Sequence, residues 1–257
     1  MKNFKSIVNR LLRIIPGGGI LVNYYRKKIC VYNSRIIPNK AGIFYQMNDE
    51  KGLANIELKR DRMSTGGPFE LPYMIVTNKT IGQHFLTPDI HRVVNIGSGA
   101  GTFEWINAPL NPCIQFLAVE MDEKTTEWTK ENRPLNNVQY SAKCMKDILK
   151  EETKFDLAVT IDVIEHVADY KSFLEDFCQL ADKAVIATPN RDRHYTEIRK
   201  PHYEYHVQEF DAGELYFILK MFYRKVELYS AKDDYDPHLF PVGLYSSYGK
   251  LFAYCER

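Results

Sequence analysis

Three residues with reactive side chains stand close together in this chain: Asp162, Glu165 and His166. Spaced i, i+3 and i+4, they would share one face of a helical turn. Carboxylates and imidazoles on one face are groups that take up and deliver protons. Two more histidines, His202 and His206, follow in a stretch dense in rings and cations, with Arg191, Arg193, His194, Tyr195, Arg199, Tyr203 and Tyr205. As a group these suit a wall for an acceptor with anionic or sugar-like features. Singly, each reads more readily as part of a solvated loop. Residues 231–248, with Asp233, Asp234, Tyr235, Asp236, Pro237 and His238, are a second candidate wall.

A different chemistry is written upstream, in Val93-Val94-Asn95-Ile96-Gly97-Ser98-Gly99-Ala100-Gly101-Thr102-Phe103. Val93, Val94 and Ile96 suit a buried parallel strand. Glycines at alternate positions let the backbone turn sharply and come close to a ligand. Thr102 to Asn107 then opens a helix whose free N–H groups attract anionic or polar groups. The dinucleotide fingerprint requires G-x-G-x-x-G, but here Thr102 stands at the third glycine place, leaving G-x-G-x-G. The next apolar run, Ile114 to Val119, ends at Glu120, 19 residues past Gly101. A carboxylate there can accept hydrogen bonds from both hydroxyls of a ribose. The alternative is that Glu120 caps a helix starting near Glu123.

These groups need elements to hold them. From residue 69 the chain alternates between the two periodicities, which predicts a parallel sheet covered on both faces. The expected strands are 91–96, 114–119, 137–141, 155–161 and 183–188. The expected helices are 69–86, 101–107, 123–132, 169–180 and 211–222, with a closing hairpin from 225–230 and 249–255. The 257 residues suffice for one α/β domain, 69–257, preceded by a basic extension and lid or linker over 1–68. Nine of the 34 Lys and Arg residues fall in residues 1–40 and none of the 33 acids does, so a basic arm joins an acidic body. Phe4, Ile7, Val8, Leu11, Leu12 and Ile15 recur at helical spacing over 2–15. That helix packs on the domain, lies peripherally on an anionic membrane surface, or touches RNA. Five cysteines without C-x-x-C spacing point to a reducing, cytoplasmic setting and away from a disulfide framework.

Several stretches together resemble the class I S-adenosylmethionine (SAM)-dependent methyltransferases. They are the glycine turn, Glu120, the run Phe155-Asp156 to Glu165-His166-Val167, Ala187-Thr188-Pro189-Asn190, and His206-Val207-Gln208-Glu209-Phe210 with Glu214-Leu215. The likeness spans about residues 70–256 and is greatest to ubiquinone-pathway O-methyltransferases. It implies a Rossmann-like, seven-stranded, mostly parallel sheet and SAM as cofactor. Asn95, Gly97, Ser98, Gly99, Gly101, Glu120, Met121, Met145, Asp162 and Val163 would line the cofactor. That family usually has an acid where this chain has Asn95, and often a second one near Cys144 or Met145. Glu165, His166, His206 and His202 would handle the acceptor's proton.

Hydroxyl-directed members of the family, small-RNA 3′-terminal ribose methyltransferases among them, carry E-x-x-E-H with a later His and hold a divalent metal there. The resemblance therefore raises Asp162, Glu165, His166 and His206 as a metal set, suited better to Mn²⁺, Fe²⁺ or Zn²⁺ than to Mg²⁺ if both imidazoles bind. It implies methylation of a hydroxyl on a small molecule, a lipid-linked intermediate or a glycan. The alternatives are an RNA ribose and a SAM-binding scaffold without turnover.

Overall fold

The computed structural model describes residues 72–151, 154–194, 203, 205–233 and 235–257. The helix expected at 2–15, the contacts it would make, and the rest of the extension and lid or linker expected over 1–68 lie outside these residues, as does His202.

The described chain alternates as expected. Helix α1 (Pro72–Phe85) leads into β1 (Arg92–Ile96), α2 (Thr102–Asn107), β2 (Gln115–Val119) and α3 (Glu123–Asn132). Then come β3 (Val138–Ser141), α4 (Met145–Lys150), β4 (Phe155–Ile161), a 3₁₀ turn (Ile164–His166), α5 (Tyr170–Leu180) and β5 (Ala181–Pro189). The chain ends with α6 (Arg191–His194), α7 (Ala212–Leu219), β6 (Lys225–Ser230), β7 (Phe240–Pro241) and β8 (Lys250–Glu256). One sheet has the order β3-β2-β1-β4-β5-β8-β6-β7. β1 to β5 are parallel, and β8 inserts antiparallel between β5 and β6.

The sheet has eight strands where seven were expected. The extra one, β7, is two residues long and pairs only with Tyr229 and Ser230 at the edge. No alternation can announce so short a strand. Helix α4 was also missed; its six residues give less than two turns of periodicity.

The central strands are near-continuous apolar runs because both faces of the sheet are covered. In β1 only Arg92 is exposed, and in β4 five of seven residues are buried. One core packs Val94, Ile96 and Ala158 against Phe173, Leu174, Phe177 and Leu180 of α5, with Leu215 and Leu219 of α7. The four α5 residues fall at i, i+1, i+4 and i+7, one stripe of a helix started by Asp169, whose carboxylate accepts the Ser172 N–H. The other core sets Val93, Leu157 and Val159 against Ile81 and Phe85 of α1 and Phe103 of α2. β1 pairs with β2 on one side and β4 on the other, so successive connections leave in opposite directions there. Open α/β sheets place their ligand crevice at such a reversal, beyond the carboxyl ends of the strands.

Candidate active site

At that reversal the chain leaves β1 through three left-handed glycines, Gly97 (φ 75°), Gly99 (φ 55°) and Gly101 (φ 69°). The Gly97 and Ser98 amides both donate to the Val119 carbonyl, which ties the turn to the end of β2. The three glycines serve different needs. A Cβ on Gly97 would lie 2.4 Å from Val163 Cγ2, and one on Gly101 would lie 2.9 Å from Thr129 Cγ2. A Cβ on Gly99 would meet nothing within 4 Å. Packing therefore demands the outer two, while the middle one leaves open space over the turn.

Glu120 borders this space. Its Oε2 accepts the Gly99 N–H at 3.0 Å and its Oε1 accepts the Asp122 N–H at 3.1 Å. The cap of α3 is Asp122, which accepts from the Thr125 amide, so Glu120 is not the helix cap. It is a half-buried acid aligned by the turn. Met121, beside it, is 46% exposed. Met145, at the first position of α4, is in the core, so it offers this edge its backbone rather than its side chain.

Asn95, fully buried, donates its Nδ2–H to Oε1 of Glu104 at 2.9 Å. Glu104 has no exposed surface, and burial pushes its carboxyl up to about 7. Sequence reading missed Glu104, because an acid in the first turn of a helix reads as an ordinary helix-start residue.

The second group gathers at the carboxyl ends of β4 and β5. Asp162 leaves β4 in the left-handed region (φ 54°), the one non-glycine with positive φ among the described residues. It precedes the 3₁₀ turn and is not on a helical face with Glu165 and His166. Its Oδ2 accepts from the Lys250 ammonium, which reaches across from the first residue of β8. Glu165 is wholly buried, and its Oε2 accepts the Thr188 hydroxyl at 2.9 Å. Its backbone carbonyl receives the Val207 and Gln208 amides, docking the segment that carries His206. Desolvation, with Asp162 adding repulsion, pushes the Glu165 carboxyl up to about 8.

His206 Nδ1 meets Glu209 Oε1 at 2.8 Å, and its Nε2 lies 3.9 Å from Glu165 Oε1. His166 Nδ1 meets the Tyr205 carbonyl at 3.0 Å. Carboxylate and carbonyl oxygens only accept, so both imidazoles carry their proton on Nδ1. The two rings pack edge to face at 4.8 Å, with Tyr203 at 5.0 Å from His206. Glu165, His166 and His206 can offer ligand atoms within 4.8 Å of one another, and Oε1 of Glu165 has no hydrogen-bond partner among the described residues. The three fit a divalent cation. Asp162, expected as a fourth ligand, is not part of this cluster, because Lys250 engages it.

The wall beyond β5 is more built than its sequence suggests. Arg191, 2% exposed, donates to the Glu209 carbonyl and pairs with Asp211 (2.9 Å) and Glu214 (2.5 Å). Asp211 and Glu214 form the capping box of α7. Asn190 donates to the Ser246 and Tyr248 carbonyls and so holds the 246–248 loop against the same edge. Arg191 and Asn190 therefore organise the frame, whatever ligand it receives.

A family model described as a methyltransferase domain matches residues 48–222, well over half the chain. The chain belongs to the class I SAM-dependent methyltransferases. No curated protein matches it. Its fold is similar to that of the methyltransferase domain of a bacterial Hen1 (14% identity, 72% of this chain and 100% of that one, TM-score 0.54). The plantazolicin methyltransferase BpumL, solved with S-adenosylhomocysteine (SAH) and an azolic analogue, is 11% identical over 79% of this chain and 90% of its own, at TM-score 0.57. Magnesium protoporphyrin IX methyltransferase from Synechocystis PCC 6803, with SAH bound, is 12% identical over 81% and 100%, at TM-score 0.56.

SAM is accordingly the cofactor of this methyltransferase, and the glycine turn fits it. The open space at Gly99 and the half-buried acid of Glu120 are what a nucleoside needs at the end of β2. Among the described residues no helix is long and apolar enough to cross a membrane.

Proposed function

We propose that this methyltransferase methylates a hydroxyl oxygen on a small molecule, a lipid-linked intermediate or a glycan. The observation that carries the reading is the buried Glu165–His166–His206 cluster beyond the carboxyl end of β4. SAM, when bound, supplies a methyl group on a sulfonium, open to direct displacement by an oxygen. The chain's own residues do the rest. Glu120 receives the ribose hydroxyls, and Gly97, Ser98, Gly99, Gly101 and Val163 shape the backbone cradle. Nδ1–H of His206 is fixed by Glu209, which leaves Nε2 as the base toward an acceptor hydroxyl. Alternatively, a divalent cation held by Glu165, His166 and His206 would take Nε2 as a ligand and, in place of that base, would lower the pKa of the hydroxyl. Thr188 orients the carboxylate and the Tyr205 carbonyl orients His166, the outer contacts that such ligands need.

The test is release of SAH from SAM in the presence of a panel of ring-hydroxyl, polyprenyl and sugar acceptors, with the new methyl located by NMR. A methyl on oxygen supports the reading; a methyl on nitrogen or carbon overturns it. RNA ribose methylation is a second reading, favoured by the same cluster and by the basic composition of residues 1–40. Filter binding of single-stranded RNA across a salt titration separates the two, since RNA contact must weaken steeply as salt rises.

A further inference from the structure

Beneath the glycine turn lies a polar pair with unmet bonding capacity. Asn95 Oδ1 and Glu104 Oε2 are both buried, and neither has a hydrogen-bond partner among the described residues. Their other ends meet, Asn95 Nδ2 donating to Glu104 Oε1 at 2.9 Å. An ionised carboxylate only accepts, so it fixes which way the amide faces. The nitrogen must turn to Glu104 and the carbonyl oxygen away from it. A hydrogen bond to a charged acceptor also polarises the amide and makes that oxygen a better acceptor.

The charge on Glu104 has little else to answer it. Among the described residues, Arg133 is the one cation whose field reaches it, from the far end of α3. That guanidinium is committed elsewhere, donating to the Ala100 carbonyl at 2.9 Å and packed over both Trp105 and Trp128. Tyr140, the titratable neighbour from β3, gives its hydroxyl proton to the Arg133 carbonyl and adds no positive charge. Among the described residues, a buried acid and an unpaired acceptor at the end of β1 are thus short of one cation.

We infer that Glu104 is the acid of the cofactor site, a positioning residue that orients and polarises Asn95 to receive the ammonium of SAM's methionyl end. The inference rests on the placement of SAM over the glycine turn proposed above. It accounts for a neutral Asn95: an aspartate there would set two buried carboxylates side by side, whereas an amide donates to one. It also makes Glu104 sensitive to ligand charge. Its carboxyl stands near 7 in the free protein, so a cation brought to its partner must drive off the proton it carries in weakly acidic solution.

The test is calorimetric titration of the full chain at pH 6.5, in two buffers of different ionisation enthalpy, with SAM and with 5′-methylthioadenosine, which lacks the amino-acid end. At this pH the amine of SAM is already protonated. Wild type should release a substantial fraction of a proton on binding SAM and none on binding 5′-methylthioadenosine. The Glu104→Gln variant should release none with either and lose about tenfold of its preference for SAM, keeping its affinity for 5′-methylthioadenosine. Proton release by the wild type needs no variant, so a poorly folding glutamine protein would not spoil the test. SAM binding without proton release, or an undiminished preference in Glu104→Gln, overturns the inference alone. Failure of the wild type to bind either ligand overturns the placement of the cofactor as well.

Discussion

Oε1 of Glu165 and Nε2 of His206 face each other across 3.9 Å of buried space, and when Glu165 is ionised both are acceptors. Two acceptors cannot satisfy each other, so a proton or a cation must lie between them. Glu209 and Thr188 hold the far ends of the pair and prevent either from turning away. His206 is thereby fixed in geometry and tautomer, as a proton acceptor needs to be. Replacing His206 with Ala is predicted to lower turnover by about 10²–10⁴-fold. SAM affinity should change little, because the contacts proposed for the cofactor do not include His206. Equal losses in both would show that His206 serves the fold rather than the reaction.

The same gap sets the metal prediction. Equilibrium dialysis against Mn²⁺ or Zn²⁺ should find one ion per chain, with binding abolished by Glu165→Gln and by His206→Ala. Asp162→Asn should leave binding within about twofold, since Lys250 already engages that carboxylate and keeps it out of the cluster. Loss of metal in Asp162→Asn would restore the four-ligand set that the sequence suggested. Retention of metal by Glu165→Gln would remove the cluster from consideration.

Two buried acids give the ligand-free protein an unusual stability profile. Glu104 stands near 7 and Glu165 near 8 in the folded chain, against an ordinary value of 4.5. A folded pKa above the unfolded one means that the native state holds the proton more tightly. That stabilisation is fully present below the unfolded value and is lost as pH rises through the folded ones. In chelator and without SAM, the melting temperature should therefore fall from about pH 4.5 to about pH 8 and level off above it, each acid contributing on the order of 3–5 kcal/mol over the whole interval. Glu104→Gln and Glu165→Gln should each flatten part of that slope. A profile that rises over this interval would contradict the buried, unpaired state of both carboxylates.

These relations also show what the sequence could and could not convey. The sheet was legible, because strands buried on both faces leave runs such as Val93 to Ile96 and Leu157 to Ile161 that little else produces. The family was legible through short segments that the fold brings to one edge. The geometry of Asp162 was not, because helical spacing assumed a regular turn where the backbone is left-handed. Its partner Lys250 lies 88 residues away, on the antiparallel strand inserted between β5 and β6. Glu104 was hidden for a related reason. Nothing local says that the first turn of α2 packs its acid under the glycine turn against an amide from β1. Short-range patterns report which face is buried, but they do not report which polar groups meet there.

The glycine turn offers a clean separation of folding from binding. Gly97→Ala places a methyl 2.4 Å from Val163 and keeps a positive φ, so it should destabilise the protein by about 1–3 kcal/mol. Gly99→Ala meets no atom within 4 Å, and its cost is the left-handed backbone alone, about 1–2 kcal/mol. Its methyl nevertheless enters the open space over the turn. It also sits on the residue whose N–H aligns Glu120. SAM affinity in Gly99→Ala should therefore fall at least tenfold while thermal unfolding remains cooperative. Glu120→Ala should lose about 1.5–3 kcal/mol of binding, the worth of charge-assisted bonds to a ribose. If both variants bind SAM as wild type does, the nucleoside does not lie where β1 and β2 end, and the cradle must be sought along another edge of the sheet.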